Sequence, residues 1–250
     1  MRDLDFLTRR PFAHRGLHDT AQGIYENSRG AFVGAIEQGY GIELDVQMSR
    51  DGQAVVFHDD TLDRLTDHTG PVRALTAADL SGVTIGTSTD TIEPLADILA
   101  QIGGRVPILI EIKDQSLTLT ETDGILERAV AQAVADYRGP AAVMSFNPHA
   151  MFHVRDVAPE IICGLTTCDF AQHDWPGVDA QRLQELADIP DFDPLGAAFV
   201  SHDVNDLANP AVTTLRQRGI PILCWTVRSH KQATTLGPMV DNITFEGFLA

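Results

Sequence analysis

The 250-residue sequence predicts an α/β fold, a (β/α)8 TIM barrel with a small insertion after an early β-hairpin. Three observations carry that reading. Eight short β-rich runs alternate with helix-patterned stretches, the rhythm of a parallel sheet covered by helices. The length suits one such unit, since α/β barrels reach ~250 residues. No GxGxxG or P-loop follows the first run, which counts against a doubly wound sheet, the structural alternative.

In order, the runs fall at residues 11–14, 41–48, 106–113, 141–146, 161–166, 197–201, 220–227 and 242–245. An additional run, 54–58, follows the turn signal Asp51-Gly52. Between them, Ala31, Phe32, Ala35 and Ile36 share a helical face. The residues Ile125, Leu126, Ala129, Val130, Ala133, Val134 and Tyr137 keep 3–4 spacing. Asn147-Pro148 and Asn209-Pro210 each read as an N-cap followed by Pro at the first helical position. Ser229 and Gln232 fit a capping box. Residues 60–93 break the rhythm. They are polar and turn-rich, and are expected to form an insertion over one barrel mouth within a single domain spanning 1–250.

Composition narrows the function. Hydrophobic residues make up 44% and charged residues 21%, which excludes a disordered or collagen-like chain. The 18 Lys+Arg against 35 Asp+Glu give a net charge of −17. Polyanions are recognised by basic stripes, so nucleic acid and anionic membrane surfaces are poor partners. A small phosphate ligand remains possible where a cation or local Arg/Lys cluster reverses the field. Cys163, Cys168 and Cys224 make no dense disulfide framework and are read as buried small hydrophobes. The opening MRDLDFLTRRPF lacks an apolar signal region, and no apolar run approaches the ~18 residues of a membrane span. The expectation is a soluble protein of a reducing cytoplasm with no integral membrane association. The oligomeric state is not legible.

In a barrel of this class the active site lies at the C-terminal ends of the strands. The second run reads Ile42-Glu43-Leu44-Asp45-Val46-Gln47-Met48, and strand alternation places Glu43, Asp45 and Gln47 on one face. Carboxylates one repeat apart stand ~6.5–7 Å apart at Cα, close enough to converge on one cation. The next barrel strand offers Glu111 and Lys113 on one face. Three acidic groups in a barrel mouth demand a compensating charge, and a hard divalent cation, Mg²⁺ or Ca²⁺, takes oxygen ligands. The plainer reading of Glu43 and Asp45 is the solvated face of an edge strand.

His14 and His58 each follow an apolar run and suggest a pair at the mouth that could act as acid and base. Arg15 offers a planar donor fork suited to phosphate, and Gly16 would let backbone approach a ligand closely. A lone histidine is ordinarily structural, and His18, His68, His149, His153, His173 and His230 are read that way. His202, at the end of a strand run, is a weaker site candidate. Trp225 could wall the mouth against an alcohol or choline-like head group, or serve as a large core side chain.

Together these pieces resemble the glycerophosphodiester phosphodiesterase family. The likeness lies in His14-Arg15-Gly16, Glu26-Asn27-Ser28 with Ala31-Phe32, residues 41–46, and Arg50-Asp51-Gly52. It continues through residues 55–59, 62–66 and 70–72, Glu111-Ile112-Lys113 and Trp225-Thr226-Val227. The ordered set runs through the whole chain and is densest over 11–113. It implies a TIM barrel that hydrolyses glycerophosphodiesters, small molecules, to sn-glycerol 3-phosphate and an alcohol. It assigns Glu43, Asp45 and Glu111 to one divalent cation and Arg15 and Lys113 to the phosphate. It gives His14 and His58 the acid/base work, leaning to His14 as acid and His58 as base. The family's Pro-Glu-Asn-Thr reads Tyr25-Glu26-Asn27-Ser28 here, keeping the hydroxyl. Its Thr-Asp-x-Pro ending reads Thr244-Phe245-Glu246-Gly247, a departure at the rim of the last strand. Two rival readings are a related barrel acting on lysophospholipid or sphingomyelin head groups, and a phosphodiester-binding barrel without turnover.

Overall fold

The computed structural model describes residues 4–250, so the first three residues of the expected 1–250 domain lie outside the described part. The strands are β1 (Phe12–Ala13), β2 (Gly41–Met48), β3 (Ala54–Val56), β4 (Ile108–Ile112) and β5 (Ala141–Ser145). They continue with β6 (Ile162–Thr167), β7 (Phe199–Asp203), β8 (Ile222–Val227) and β9 (Asn242–Phe245). Neighbours in the sheet run β1-β9-β8-β7-β6-β5-β4-β2, and β1 also pairs with β2, so eight parallel strands close into a barrel. The short β3 is antiparallel to β2 and hangs on it as a hairpin. Several strands are shorter than their apolar runs. His14 and His58 therefore stand just beyond β1 and β3, with the His14 N–H still donating to the Phe245 carbonyl of β9 at 2.9 Å.

The helices are α1 (Phe6–Arg9), α2 (Arg29–Gln38), α3 (Ala77–Leu80), α4 (Leu95–Ile102), α5 (Ile125–Asp136) and α6 (Pro148–Val157). They continue with α7 (Ala180–Ala187), α8 (Phe192–Leu195), α9 (Pro210–Gln217) and α10 (His230–Leu236). Helices α2, α4, α5, α6, α7, α9 and α10 each sit between successive barrel strands. Asn147 and Asn209 cap α6 and α9 with Pro at the first turn, as their sequences predict. Ser229 caps α10, but the Gln232 side chain accepts from the Arg228 N–H at 2.8 Å, so the expected box closes one residue early.

Strand alternation divides the barrel walls. Ile42, Leu44, Val46, Ile108, Ile110, Ile112, Val143 and Leu165 face the helices in the main core. The interior floor is filled by Phe12, Leu109, Ala142, Met144, Phe199 and Leu223. Leu7 of α1 joins that floor, and Asn242 Nδ2 donates to the Leu7 and Arg10 carbonyls at 2.6 and 2.7 Å. One end of the barrel is thus shut and the C-terminal end is left for chemistry.

The segment 60–93 departs from its polar appearance. Leu62, Val72, Ala77, Leu80, Val83, Ile85 and Ile92 pack with Val55 and Phe57 of the hairpin into a core of their own. Its apolar residues are spaced by turns rather than by a helical or strand period, which hides the core from pattern reading. Among the described residues, no helix is long and apolar enough to cross a membrane.

Candidate active site

Three buried carboxylates stand above the apolar floor. Glu43 and Asp45 point inward from β2, and the register sets Asp45 directly beside Glu111 of β4. One oxygen from each of Glu43, Asp45 and Glu111 lies within 4.8 Å of the others. Three like charges so close in a buried setting cannot all ionise cheaply. Burial, reinforced by Asp45 and Glu111, pushes the Glu43 carboxyl well above its ordinary range. Asp45 goes the other way. Burial alone would raise it, but Lys113, His58 and Arg15 hold it well below the usual carboxylate range. Lys113 Nζ lies 2.8 Å from Asp45 and 2.5 Å from Glu111, and these partners hold the ammonium above its ordinary value despite burial.

The donor set is all oxygen, buried and mutually repelling, which fits a hard divalent cation. The pocket wall sets Arg15, Lys113 and Arg228 against Glu43, Asp45 and Glu111, so the side chains alone leave no surplus positive charge for a phosphodiester anion.

The two histidines face this cluster from the rim, and each is tied through Nδ1 to a carboxylate. His14 Nδ1 is 2.5 Å from Glu246 Oε2, and His58 Nδ1 is 2.7 Å from Asp59 Oδ1. An ionised carboxylate only accepts, so Nδ1 carries the proton in both rings and Nε2 is left for chemistry. His14 Nε2 lies 4.0 Å from Glu43. Burial lowers the His14 proton affinity below that of an ordinary imidazole, outweighing the opposing pull of Glu246. Glu246 is in turn held by Arg228 at 2.9 Å and stays ionised well below the usual range, chiefly through the hydrogen bond from His14, with His18 Nε2 3.8 Å away.

A second network fixes the opposite rim. Arg64 donates to both oxygens of Asp59 and both oxygens of Glu26, at 2.7 to 2.9 Å. Glu26 also accepts from Arg15 at 2.6 Å. Burial opposes the Glu26 charge, but Arg64 and Arg15 together bring its carboxyl down to about 2. Arg15 and Asn27 both take left-handed backbone, at φ 56° and 54°. The turn is closed by Asn27 N–H donating to the Arg15 carbonyl at 2.8 Å, and Asn27 Nδ2 holds Asp45 at 2.8 Å. Gly16 has a different task from the expected one. At φ 80°, an added Cβ would sit 2.8 Å from the Ala31 Cβ, so its small size lets helix α2 approach rather than a ligand.

His14, Arg15, Glu43, Asp45, His58, Glu111, Lys113 and Trp225, every site candidate singled out in the sequence as central, line one pocket of about 150 Å³. His202 does not. It is fully buried, with Nδ1 2.7 Å from the Thr167 hydroxyl and Nε2 3.1 Å from the Asp206 carbonyl. Cys168 and Cys224 are buried, and burial pushes both thiols up to about 12, as inert apolar side chains require. Sequence reasoning gave no role to Glu246, Asp59, Arg64 or Asn27. Asp59 and Asn27 stand inside motifs read for their neighbours. Glu246 was visible only as a departure from a family pattern.

A model of the glycerophosphoryl diester phosphodiesterase family matches residues 14–243, which begin at His14 and take in all three carboxylates and His58. The chain belongs to this family. A glycerophosphodiester phosphodiesterase of Caldanaerobacter subterraneus is 33% identical over 167 residues, 61% of this chain and 64% of the relative. The matched stretch thus spans just under two thirds of that protein. An Oleispira antarctica phosphodiesterase, solved in complex with the product sn-glycerol-3-phosphate, superposes with a TM-score of 0.77 at 23% identity. That match covers 96% of this chain and 93% of the other. A glycerophosphodiester phosphodiesterase of Thermotoga maritima gives 0.70 at 21%, covering 95% and 94%. These likenesses establish the barrel fold of the family.

Proposed function

We propose that the chain, as a single barrel domain over 1–250, hydrolyses glycerophosphodiesters to sn-glycerol 3-phosphate and an alcohol. The observation that carries this is the meeting of three buried carboxylates with two imidazoles, each presenting Nε2 to the same pocket. Family membership supports the reaction class. Glu43, Asp45 and Glu111 would hold one divalent cation, Mg²⁺ or Ca²⁺. When bound there, such an ion would offset charge on a phosphoryl oxygen and make a nearby hydroxyl more acidic. Arg15, oriented by Glu26, and Lys113 stabilise the charge that builds on the phosphoryl oxygens. The attacking hydroxyl, from water or from the substrate's own glycerol, forms the new bond to phosphorus and gives up its proton. The bond to the alcohol breaks, and the alcohol oxygen takes a proton. One histidine serves each transfer.

The family likeness leans to His14 as acid and His58 as base. Two observations support the opposite order. Burial lowers the proton affinity of His14 and so favours the neutral ring, the form that accepts a proton. His58 is the imidazole that borders a groove leading out of the pocket, where a departing alcohol can lie. The test uses leaving groups. A choline alkoxide needs protonation, whereas p-nitrophenolate leaves unaided. Loss of the general acid should cost roughly 10²–10⁴-fold on glycerophosphocholine and far less on a p-nitrophenyl phosphodiester. Rescue of His58→Ala alone is expected; rescue of His14→Ala would restore the family order. If neither substitution slows either substrate, the histidines are not catalytic. Turnover of glycerophosphocholine with Mg²⁺ or Ca²⁺ also separates this reading from a lysophospholipid or sphingomyelin barrel and from a non-catalytic binder. The reducing cytoplasm expected from composition suits the buried setting of all three cysteines.

A further inference from the structure

We propose that the groove beside the catalytic pocket seats the leaving alcohol and selects a cationic one, an alkylammonium alcohol of the choline or ethanolamine kind. This rests on the phosphodiesterase reading. The groove is open to solvent, has a volume of about 440 Å³ and shares His58, Glu111, Lys113, Phe146 and Trp225 with the pocket, so a substrate held at the carboxylates extends into it.

Its wall is aromatic. Phe146 follows β5, Trp225 lies on β8, and Trp175 comes from the loop after β6. The Phe146 ring centre is 5.1 Å from that of Trp175, with planes at 61°, and 5.4 Å from that of Trp225, with planes at 87°. The rings therefore turn their faces in different directions around one space. They are held there in advance. Trp225 Nε1 donates to the Ser201 carbonyl at 3.1 Å, and buried Phe170 backs Trp175 at 5.4 Å. All three rings keep part of their surface uncovered.

Carboxylates outnumber cations around the groove: Asp59, Asp60, Glu111 and Asp114 line it with Lys113, and Arg64 pairs with Asp59. The Lys113 ammonium pairs with Asp45 and Glu111, at the phosphate end of the proposed substrate. Asp60 is exposed at the outer end, where a head group would emerge. An alkylammonium gains from the ring quadrupoles and from this field at once. A neutral polyol gains from neither, and an anionic head group is repelled.

The test compares glycerophosphocholine with its uncharged carbon isostere, the 3,3-dimethylbutyl ester of glycerol phosphate, on the full chain with Mg²⁺. The expected kcat/KM ratio favours the choline ester by about tenfold or more. Trp175→Ala should bring the ratio toward one, and Trp175→Phe should restore most of it. Asp60→Asn, at an exposed position that cannot endanger the fold, should lower the ratio about two- to fivefold. Choline chloride should also quench tryptophan fluorescence in the resting protein where 3,3-dimethylbutanol does not. Cleavage of both esters with a ratio near one overturns the groove assignment and leaves the phosphodiesterase reading standing. Cleavage of neither overturns the phosphodiesterase reading and the assignment with it.

Discussion

Replacing Glu246 by Gln keeps the shape of the side chain, removes its charge and leaves one of its two donors without an acceptor. Glu246 lies between His14 Nδ1 at 2.5 Å and Arg228 Nε at 2.9 Å. A carboxylate serves both. An amide cannot. If its oxygen faces His14, its NH₂ opposes the Arg228 guanidinium, donor against donor. If it flips, the NH₂ faces Nδ1 and drives the proton to Nε2, where His14 can no longer accept one. Either way a charge-assisted bond worth about 1.5–3 kcal/mol is lost, roughly a 10- to 150-fold effect. The assay is steady-state kinetics on glycerophosphocholine and on a p-nitrophenyl phosphodiester. With His14 as the base, kcat should fall by that factor on both substrates, while KM changes by less than about threefold. Glu246→Asp, which keeps the charge on a shorter arm, should recover part of the loss. A Glu246→Gln enzyme within about twofold of wild-type kcat would refute the reasoning and leave Glu246 a surface partner of Arg228.

The same geometry sets three more expected outcomes. Without a cation Glu43 already favours its neutral form, so Glu43→Gln should change the melting temperature in EDTA little while abolishing the increase that Mg²⁺ or Ca²⁺ gives the wild type; an undiminished increase would count against the cation site. Glu26 titrates at about 2 against a usual 4.5, so its contribution is complete above pH 4.5 and is lost as pH falls towards 2; the gain is at most about 3 kcal/mol, less after screening, and Glu26→Gln should flatten acid denaturation over that window. Gly16→Ala combines a left-handed backbone with a 2.8 Å approach to Ala31 and should cost roughly 2–4 kcal/mol in urea unfolding; a loss under about 1 kcal/mol would mean that α2 yields.

Much of this molecule was legible in its sequence because the relevant signals are local. A period of two sends Glu43 and Asp45 to one face and Ile42, Leu44 and Val46 to the other, whatever else the chain does. Asn-Pro pairs announce helix starts because the cap bond closes within two or three residues. The ordered motifs from His14 to Trp225 named a family and gathered a set of candidates that do share one pocket. The barrel itself decided the rest. Asp45 stands beside Glu111 only because closure sets the register of β2 on β4. His14 meets Glu246 across 232 positions of chain, Arg64 joins Asp59 to Glu26 across 38, and the aromatic wall draws Phe146, Trp175 and Trp225 from three separate strand ends. No local pattern encodes such contacts, since each residue obeys only its own strand or turn and its partner is chosen when the sheet closes. The insertion hid its core for a related reason: its apolar residues follow no period, and only packing against Val55 and Phe57 makes them an interior.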